Sequence, residues 1–299
     1  MAASVSIEPG IPGSARPVWV DGYLARLGVG DPGEPSLPAL RALHRAHVEK
    51  VPYEVLDIQL ERPTSVDPQE SVARVLRGRG GYCVQLNTAF AALLGALGYR
   101  VTQHRAGIQG RGAARPSDAE FAPHLALTVE LQDRTWLVDV GLGDGLHEPV
   151  PLGEGDHRHG PMSFRLEPSR VEAGGWRFQH DPRGSIAGMD VRMAPAGNAE
   201  FAEWHHYLAT SPESRLVRAA VVMRRDGDGA DFLMGCMLRR IDGAGRKVRE
   251  LTGRQEWFDC LSEIFDLRLT DIGERQRTAL WDKVRAAHDA WLAQRAKSA

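Results

Sequence analysis

Thiols are scarce in this chain. Cys83, Cys236 and Cys260 are the whole complement among 299 residues, an odd and widely spaced set without a C-x-x-C pair. That pattern excludes a disulfide scaffold and the paired-thiol motifs of zinc and redox sites. Long apolar runs are lacking too. No stretch reaches the roughly 18 apolar residues that a membrane-crossing helix needs, and the opening "MAASVSIEPGIPGSARP" has no apolar core of the secretory kind. Nor is there an excess of charge of one sign: Lys plus Arg number 37 against 39 for Asp plus Glu, a formal net charge of -2. Such a balance attracts neither nucleic acid nor an anionic membrane. The expected partners are therefore small molecules met in a site, with no nucleic acid and no membrane, and the expected compartment is the cytoplasm.

What is present falls into three parts. Residues 1–17 are rich in Gly, Pro and Ala without periodicity and read as a flexible terminus. From 18 to 98 the period is helical: Leu37, Leu40, Leu43, His44 and His47 recur behind Ser36 as N-cap, and Leu86, Phe90, Leu93, Leu94 and Leu97 repeat up to a stop at Gly98. From 99 to 205 the period shortens, with "HLALTVEL" and "TWLVDVG" reading as a hairpin about "QDR", followed by "SFRLEP" and "GGWRFQHD" as strands of a sheet or barrel. From 206 to 299 come strand candidates at 216–225 and 231–241, then two helical segments, the last at 271–295. Helices, then strands, then a mixed end predict an α+β protein.

Eleven histidines raise the question of a metal, and "DHRHG" (156–160) is their densest cluster. Flanking glycines and Pro161 make it a surface loop of solvated histidines, with no carboxylate or thiol motif beside it, so no metal is expected. Cys83 admits two readings. Free cysteine commonly packs as a small hydrophobe, and taken alone that reading is the commoner. Its setting pulls the other way: "RGRGGYCVQLNTAF" puts glycines before the thiol and a helix start at it, where unpaired amides and the helix dipole favour the nucleophilic thiolate. Cys236 and Cys260 lie in apolar runs and read as core.

A thiolate nucleophile needs a base and an orienting group. His124 and Asp139 stand out in the alternating section, although a strand-end histidine and an acceptor for backbone amides are ordinary alternatives. A tight turn at Asp133-Arg134 sets Asp139 opposite Thr128, leaving His124 roughly 13 Å away along the strand. Periodicity alone thus does not bring the pair together. "GLGDG" (141–145) reads more readily as a turn than as an anion cradle, and "ATSPESR" (209–215) reads as a polar loop.

Taken with their flanks, "RGGYCVQLN", "PHLALTVEL" and "LVDVGLGDG" resemble the three ordered motifs of the arylamine N-acetyltransferase family, and "HVEKVPYEVLDIQL" and "YLATSPESRL" extend the likeness. The resemblance implies an N-terminal helical bundle, a central antiparallel β-barrel and a C-terminal α/β lid around a cysteine-protease-like catalytic core. It also implies Cys83 as nucleophile, His124 as base and Asp139 as orienting group, with no bound cofactor. Acetyl-CoA or another acyl thioester is then the co-substrate and an arylamine or hydrazine the acceptor. Tyr53, Tyr82, Gly141, Leu142 and Gly143 are the expected substrate pocket, and Thr210, Ser211 and Ser214 the expected donor contacts. Three positions depart from the family pattern: Leu142 replaces an aromatic, Val55 an Asn, and Arg215-Leu216 stand where a Phe is expected. They motivate an alternative in which an acyl carrier protein delivers a longer chain for amide synthesis; a Cys-His-Asp hydrolase is a further alternative.

Overall fold

The computed structural model describes residues 16–113 and 122–298; most of the terminus expected to be flexible at 1–17 lies outside them. The first part is helical: Val18–Leu27 (α1), Leu37–Lys50 (α2), Leu56–Gln59 (α3), Pro68–Leu76 (α4) and Cys83–Ala96 (α5), with a short strand Tyr53–Glu54 (β1) between α2 and α3. Local chemistry sets the ends. Ser36 accepts the Ala39 amide at 3.4 Å to start α2, and Asp67 accepts those of Gln69 and Glu70 to start α4, each with a proline in the first turn. Helix α5 buries Val84, Leu86, Ala89, Phe90, Leu93 and Leu94, and the chain then turns away through Gly98 at a φ of 86°.

Eight strands follow: Arg100–Gly110 (β2), Ala122–Leu131 (β3), Arg134–Val138 (β4), Val150–Pro151 (β5), Gly155–His159 (β6), Met162–Pro168 (β7), Trp176–Gln179 (β8) and Ile186–Pro195 (β9). Their order, β5-β4-β3-β2-β9-β8-β7-β6, makes a nearly closed antiparallel barrel. Alternate residues fill its interior, as on β7, where Met162, Phe164 and Leu166 are buried.

A short 3-10 turn at Asn198–Phe201 leads into Ala202–Thr210 (α6) and Arg215–Arg218 (α7). A second sheet follows from Val221–Asp226 (β10), Gly229–Met234 (β11), Met237–Asp242 (β12) and Gly245–Glu250 (β13), backed by helices Arg254–Glu263 (α8) and Glu274–Ser298 (α9). Its order is β1-β10-β11-β12-β13, so the two-residue strand from the helical part is its first member. The α+β architecture of helices, barrel and mixed lid is the expected one. Among the described residues no helix is long and apolar enough to cross a membrane.

Several local expectations change. The candidate strand at 216–225 divides into α7 and β10, and the one at 231–241 folds back on itself at Gly235-Cys236, where Gly235 takes a φ of 56° and Met234 pairs with Met237. "DHRHG" is strand β6 rather than a loop, and His159 accepts the His147 amide at 3.1 Å. The β3–β4 turn falls at Gln132-Asp133, one residue earlier than expected. Both residues have positive φ, 53° and 57°, as a tight mirror-image turn requires. Thr128 consequently pairs with Leu137. The division placed between 205 and 206 falls inside α6.

Candidate active site

The loop before Cys83 is anchored by buried charge. Glu54 and Asp57 face Arg74 and Arg79: Arg74 binds Glu54 at 2.9 Å and Asp57 at 2.5 Å, while Arg79 binds Glu54 at 3.3 Å and Asp57 at 3.0 Å. Arg79 also reaches Asp271, beyond the second sheet, at 2.8 Å, and Arg74 Nε donates to the Gly80 carbonyl at 2.8 Å. Burial would raise the Asp57 pKa, but the neighbouring Arg79 and Arg74 outweigh it and hold the carboxyl below its ordinary range. At Gly80 a Cβ would meet the Pro52 carbonyl oxygen at 1.8 Å, so this close approach requires glycine. The loop thereby lies against β1, where the Glu54 amide donates to the Gly81 carbonyl at 2.9 Å.

Cys83 is the first residue of α5 and is partly exposed. Gln85 Oε1 reaches back to accept the Tyr82 amide at 3.3 Å, and the helix's first amides and dipole are directed at the thiol's end of the helix. His124 and Asp139 are each 1% exposed, and His124 Nε2 lies 2.7 Å from Asp139 Oδ2. Cys83 lies near enough to the same imidazole to act on its charge. Burial alone would lower the His124 pKa; Asp139, with help from Cys83, reverses this and lifts it to about 10. Burial likewise opposes ionisation of Asp139, but His124, Asn87 and the Gly141 amide hold its pKa below the usual range.

The earlier turn accounts for the meeting of His124 and Asp139. With β3 and β4 paired two positions closer along the strand than expected, and Asp139 just past the end of β4, its carboxylate reaches the imidazole. Asn87 completes the arrangement and was missed from sequence. One turn along α5 from Cys83, it donates to Asp139 Oδ1 at 3.0 Å and to the Leu125 carbonyl at 2.5 Å, and accepts the Val140 amide at 2.9 Å. An amide at i+4 from the thiol in an otherwise apolar helix is the signal that could have found it. His44, read only as part of a helical repeat, lies 3.4 Å from the Asp139 amide through Nε2.

The other expected residues divide. Gly141 is in contact with the thiol-bearing residue: a Cβ there would stand 2.6 Å from Asn87 Nδ2 and 2.8 Å from the Cys83 carbonyl. Gly143, at a φ of 76°, packs on Met223 and Tyr53. Tyr53 is partly exposed on β1; burial and nearby Cys83 push its hydroxyl pKa up. Tyr82 and Leu142 offer little open surface. Tyr82 is 1% exposed, with its hydroxyl 2.7 Å from His205 Nδ1, and Leu142 is packed in the barrel-side core. The hydroxyls expected to contact the donor make local bonds: Thr210 donates to the His206 carbonyl, Ser214 donates to the Leu208 carbonyl and caps α7, and Ser211 accepts the Glu213 amide. Among the described residues no group of three or more His, Cys, Asp or Glu side chains is placed to hold a metal ion.

Fold and site together define the class. The arylamine N-acetyltransferase of Mycobacterium abscessus superposes with a TM-score of 0.77 at 30% identity, over 89% of this chain and 94% of that one. A Mycobacterium marinum arylamine N-acetyltransferase solved in complex with CoA has the same fold, with a TM-score of 0.76 at 24% identity over 89% of this chain and 98% of its own. In sequence, the arylamine N-acetyltransferase of Mycobacterium bovis is 31% identical over 242 residues, 77% of this chain and 82% of that protein. The family model described as N-acetyltransferase matches residues 36–273. This chain belongs to that family and is an acetyltransferase.

Proposed function

We propose that the chain moves an acetyl group from acetyl-CoA through Cys83 to an arylamine or hydrazine, in two successive half-reactions. The observation that carries this reading is the buried His124–Asp139 pair, bonded at 2.7 Å, with Cys83 near enough to act on the imidazole. In the first half-reaction His124 takes the thiol proton and Cys83 Sγ attacks the acetyl carbonyl carbon. The bond from that carbon to the CoA sulfur breaks, and CoA leaves as a thiol with the proton from His124. An amine nitrogen then attacks the acyl-enzyme. Its proton passes to His124, the bond to Cys83 breaks, and the thiol is restored as the amide departs.

Asp139 holds the imidazole in orientation and stabilises its positive charge, the role its depressed pKa supports. The donor assignment draws on the relative solved with CoA, and the acceptor on the names of the relatives.

Intact-protein mass spectrometry after mixing with acetyl-CoA tests the reading. One acetyl adduct is expected, absent in Cys83→Ala and discharged by added arylamine as the amide. An adduct that persists in Cys83→Ala would overturn the nucleophile. Thioester loss without amide in the presence of amine would instead indicate a hydrolase, and an adduct only from a longer carrier-bound thioester would overturn acetyl-CoA as donor.

A further inference from the structure

The second sheet has one face with barrel residues in its core, and a row of directly paired residues crosses that face: Tyr53, Met223, Phe232, Arg239, Val248. The row begins beside Cys83, which acts on the Tyr53 hydroxyl. It then passes beneath Gly143, where an added Cβ would stand 2.8 Å from Met223 and 3.0 Å from Tyr53. Most of this face is apolar, with Met223, Ala230, Phe232 and Ile241 in one core with Leu142 and Phe178. Arg239 interrupts it. Its guanidinium lies over the Phe232 ring, 3.9 Å from the centroid. Arg246, paired with Ile241, projects from the same face one diagonal step away.

On their own face of the sheet these two cations differ from Arg225; on the opposite face Arg224 also has a buried Nε without a hydrogen bond, but it stands directly across from Asp231. Arg225, buried on the same face, donates to the Gly145, Gly229 and His159 carbonyls. Arg240, on the opposite face, binds Asp226 and Asp231. Among the described residues neither Arg239 nor Arg246 has an ion-pair partner, and Arg239 Nε is buried without a hydrogen bond. Asp144 acts on Arg239, but its oxygens are engaged by the Ser185 amide at 2.6 Å and the Ser185 hydroxyl at 2.7 Å. Burial, then Arg246, work against the charge on Arg239. A half-buried guanidinium with a free N–H and a like-charged neighbour is a receptor for an anion.

We infer that Arg239 and Arg246 form an anion subsite of the acyl-transfer site, taking a carboxylate or phosphate of the substrate. Two strand spacings, about 10 Å, separate Tyr53 from Phe232, over which the guanidinium lies. The anionic group is therefore carried at about that remove from the Tyr53 end of the row. It belongs either to an acid-bearing amine or to the phosphates of the thioester donor. This inference rests on the acetyl transfer proposed above.

The test compares wild type, Arg239→Met and Arg246→Met with two donors, acetyl-CoA and uncharged p-nitrophenyl acetate, and two acceptors, 4-aminobenzoate and uncharged 4-methylaniline. With the uncharged pair the variants are expected to match wild type. A tenfold or greater loss of kcat/KM confined to acetyl-CoA supports the subsite and assigns it to donor phosphate; the same loss confined to 4-aminobenzoate supports it and assigns it to an acceptor carboxylate. Inorganic pyrophosphate should raise the melting temperature of wild type and not of Arg239→Met. Equal losses with charged and uncharged substrates, or no loss with either, overturn the proposal. Should Arg239→Met melt far below wild type, Arg246→Met, which alters an exposed residue, carries the same comparison. Wild type inactive even with the uncharged pair would instead overturn the acetyl-transfer reading itself.

Discussion

Asn87 shows how much of the site depends on a residue with no reacting atom. Its side chain joins Asp139, the Leu125 carbonyl and the Val140 amide, so Asn87→Ala leaves a buried N–H and a carboxylate oxygen short of partners. A loss of about 1–3 kcal/mol in urea denaturation is expected. Transient kinetics should show acetylation of Cys83 slowed by about tenfold or more, equivalent to ~1.4 kcal/mol, with KM for acetyl-CoA little changed. His124 makes a prediction in pH. Its folded pKa is raised to about 10 from an ordinary 6.5. Its contribution to stability is then complete below pH 6.5 and lost progressively as pH rises to 10. Urea midpoints of wild type should fall across that window relative to His124→Gln, and parallel curves would contradict the assignment. At this scale the sequence was informative about Cys83, His124 and Asp139 through their motifs. Asn87 escaped because its partners, on β3 and just past β4, are distant in sequence.

At the scale of elements, the helix starts and the alternation of the barrel strands were legible because caps and apolar spacing are local properties. The β3–β4 register was not, since one residue of turn position decides it and Gln132 is an unusual occupant of positive φ. Equally hidden was the charged anchor of the Cys83 loop. Glu54, Asp57, Arg74 and Arg79 are all buried, and only the folded chain sets them against each other. Glu54→Gln removes the carboxylate bound to both Arg74 and Arg79, leaving two buried cations undercompensated. A destabilisation of about 3–5 kcal/mol is expected from chemical denaturation. Asp271 is one-quarter exposed, and Asp271→Asn should cost roughly 1 kcal/mol or less. Similar losses for the two variants would show that burial is not what gives the anchor its strength.

For the molecule as a whole, the three-part order of helices, barrel and lid was readable from the change of period along the chain. The way the parts interlock was not. Strand β1, from the helical part, pairs with β10 from the last part, and Arg79 reaches Asp271. We propose that residues 18–98, 99–205 and 206–299 are not separable folding units. A fragment ending at 205 should lack the sharp, single urea transition of the full chain, as followed by far-UV circular dichroism and tryptophan fluorescence. Its Cys83 should also lose selectivity toward acetyl-CoA. A fragment with a transition as steep as that of the whole chain would separate the parts after all.

The two-residue strand Tyr53–Glu54 also has a meaning for biosynthesis. Chains leave the ribosome from the N-terminus, so Cys83 emerges long before its supports. The partner of β1 begins at Val221, and the last anchor of Arg79 is Asp271. A nascent chain therefore exposes its thiol to the cell well before it can position it. The support of that loop is completed only once residues as far along as Asp271 have been made and have folded back onto the helical part.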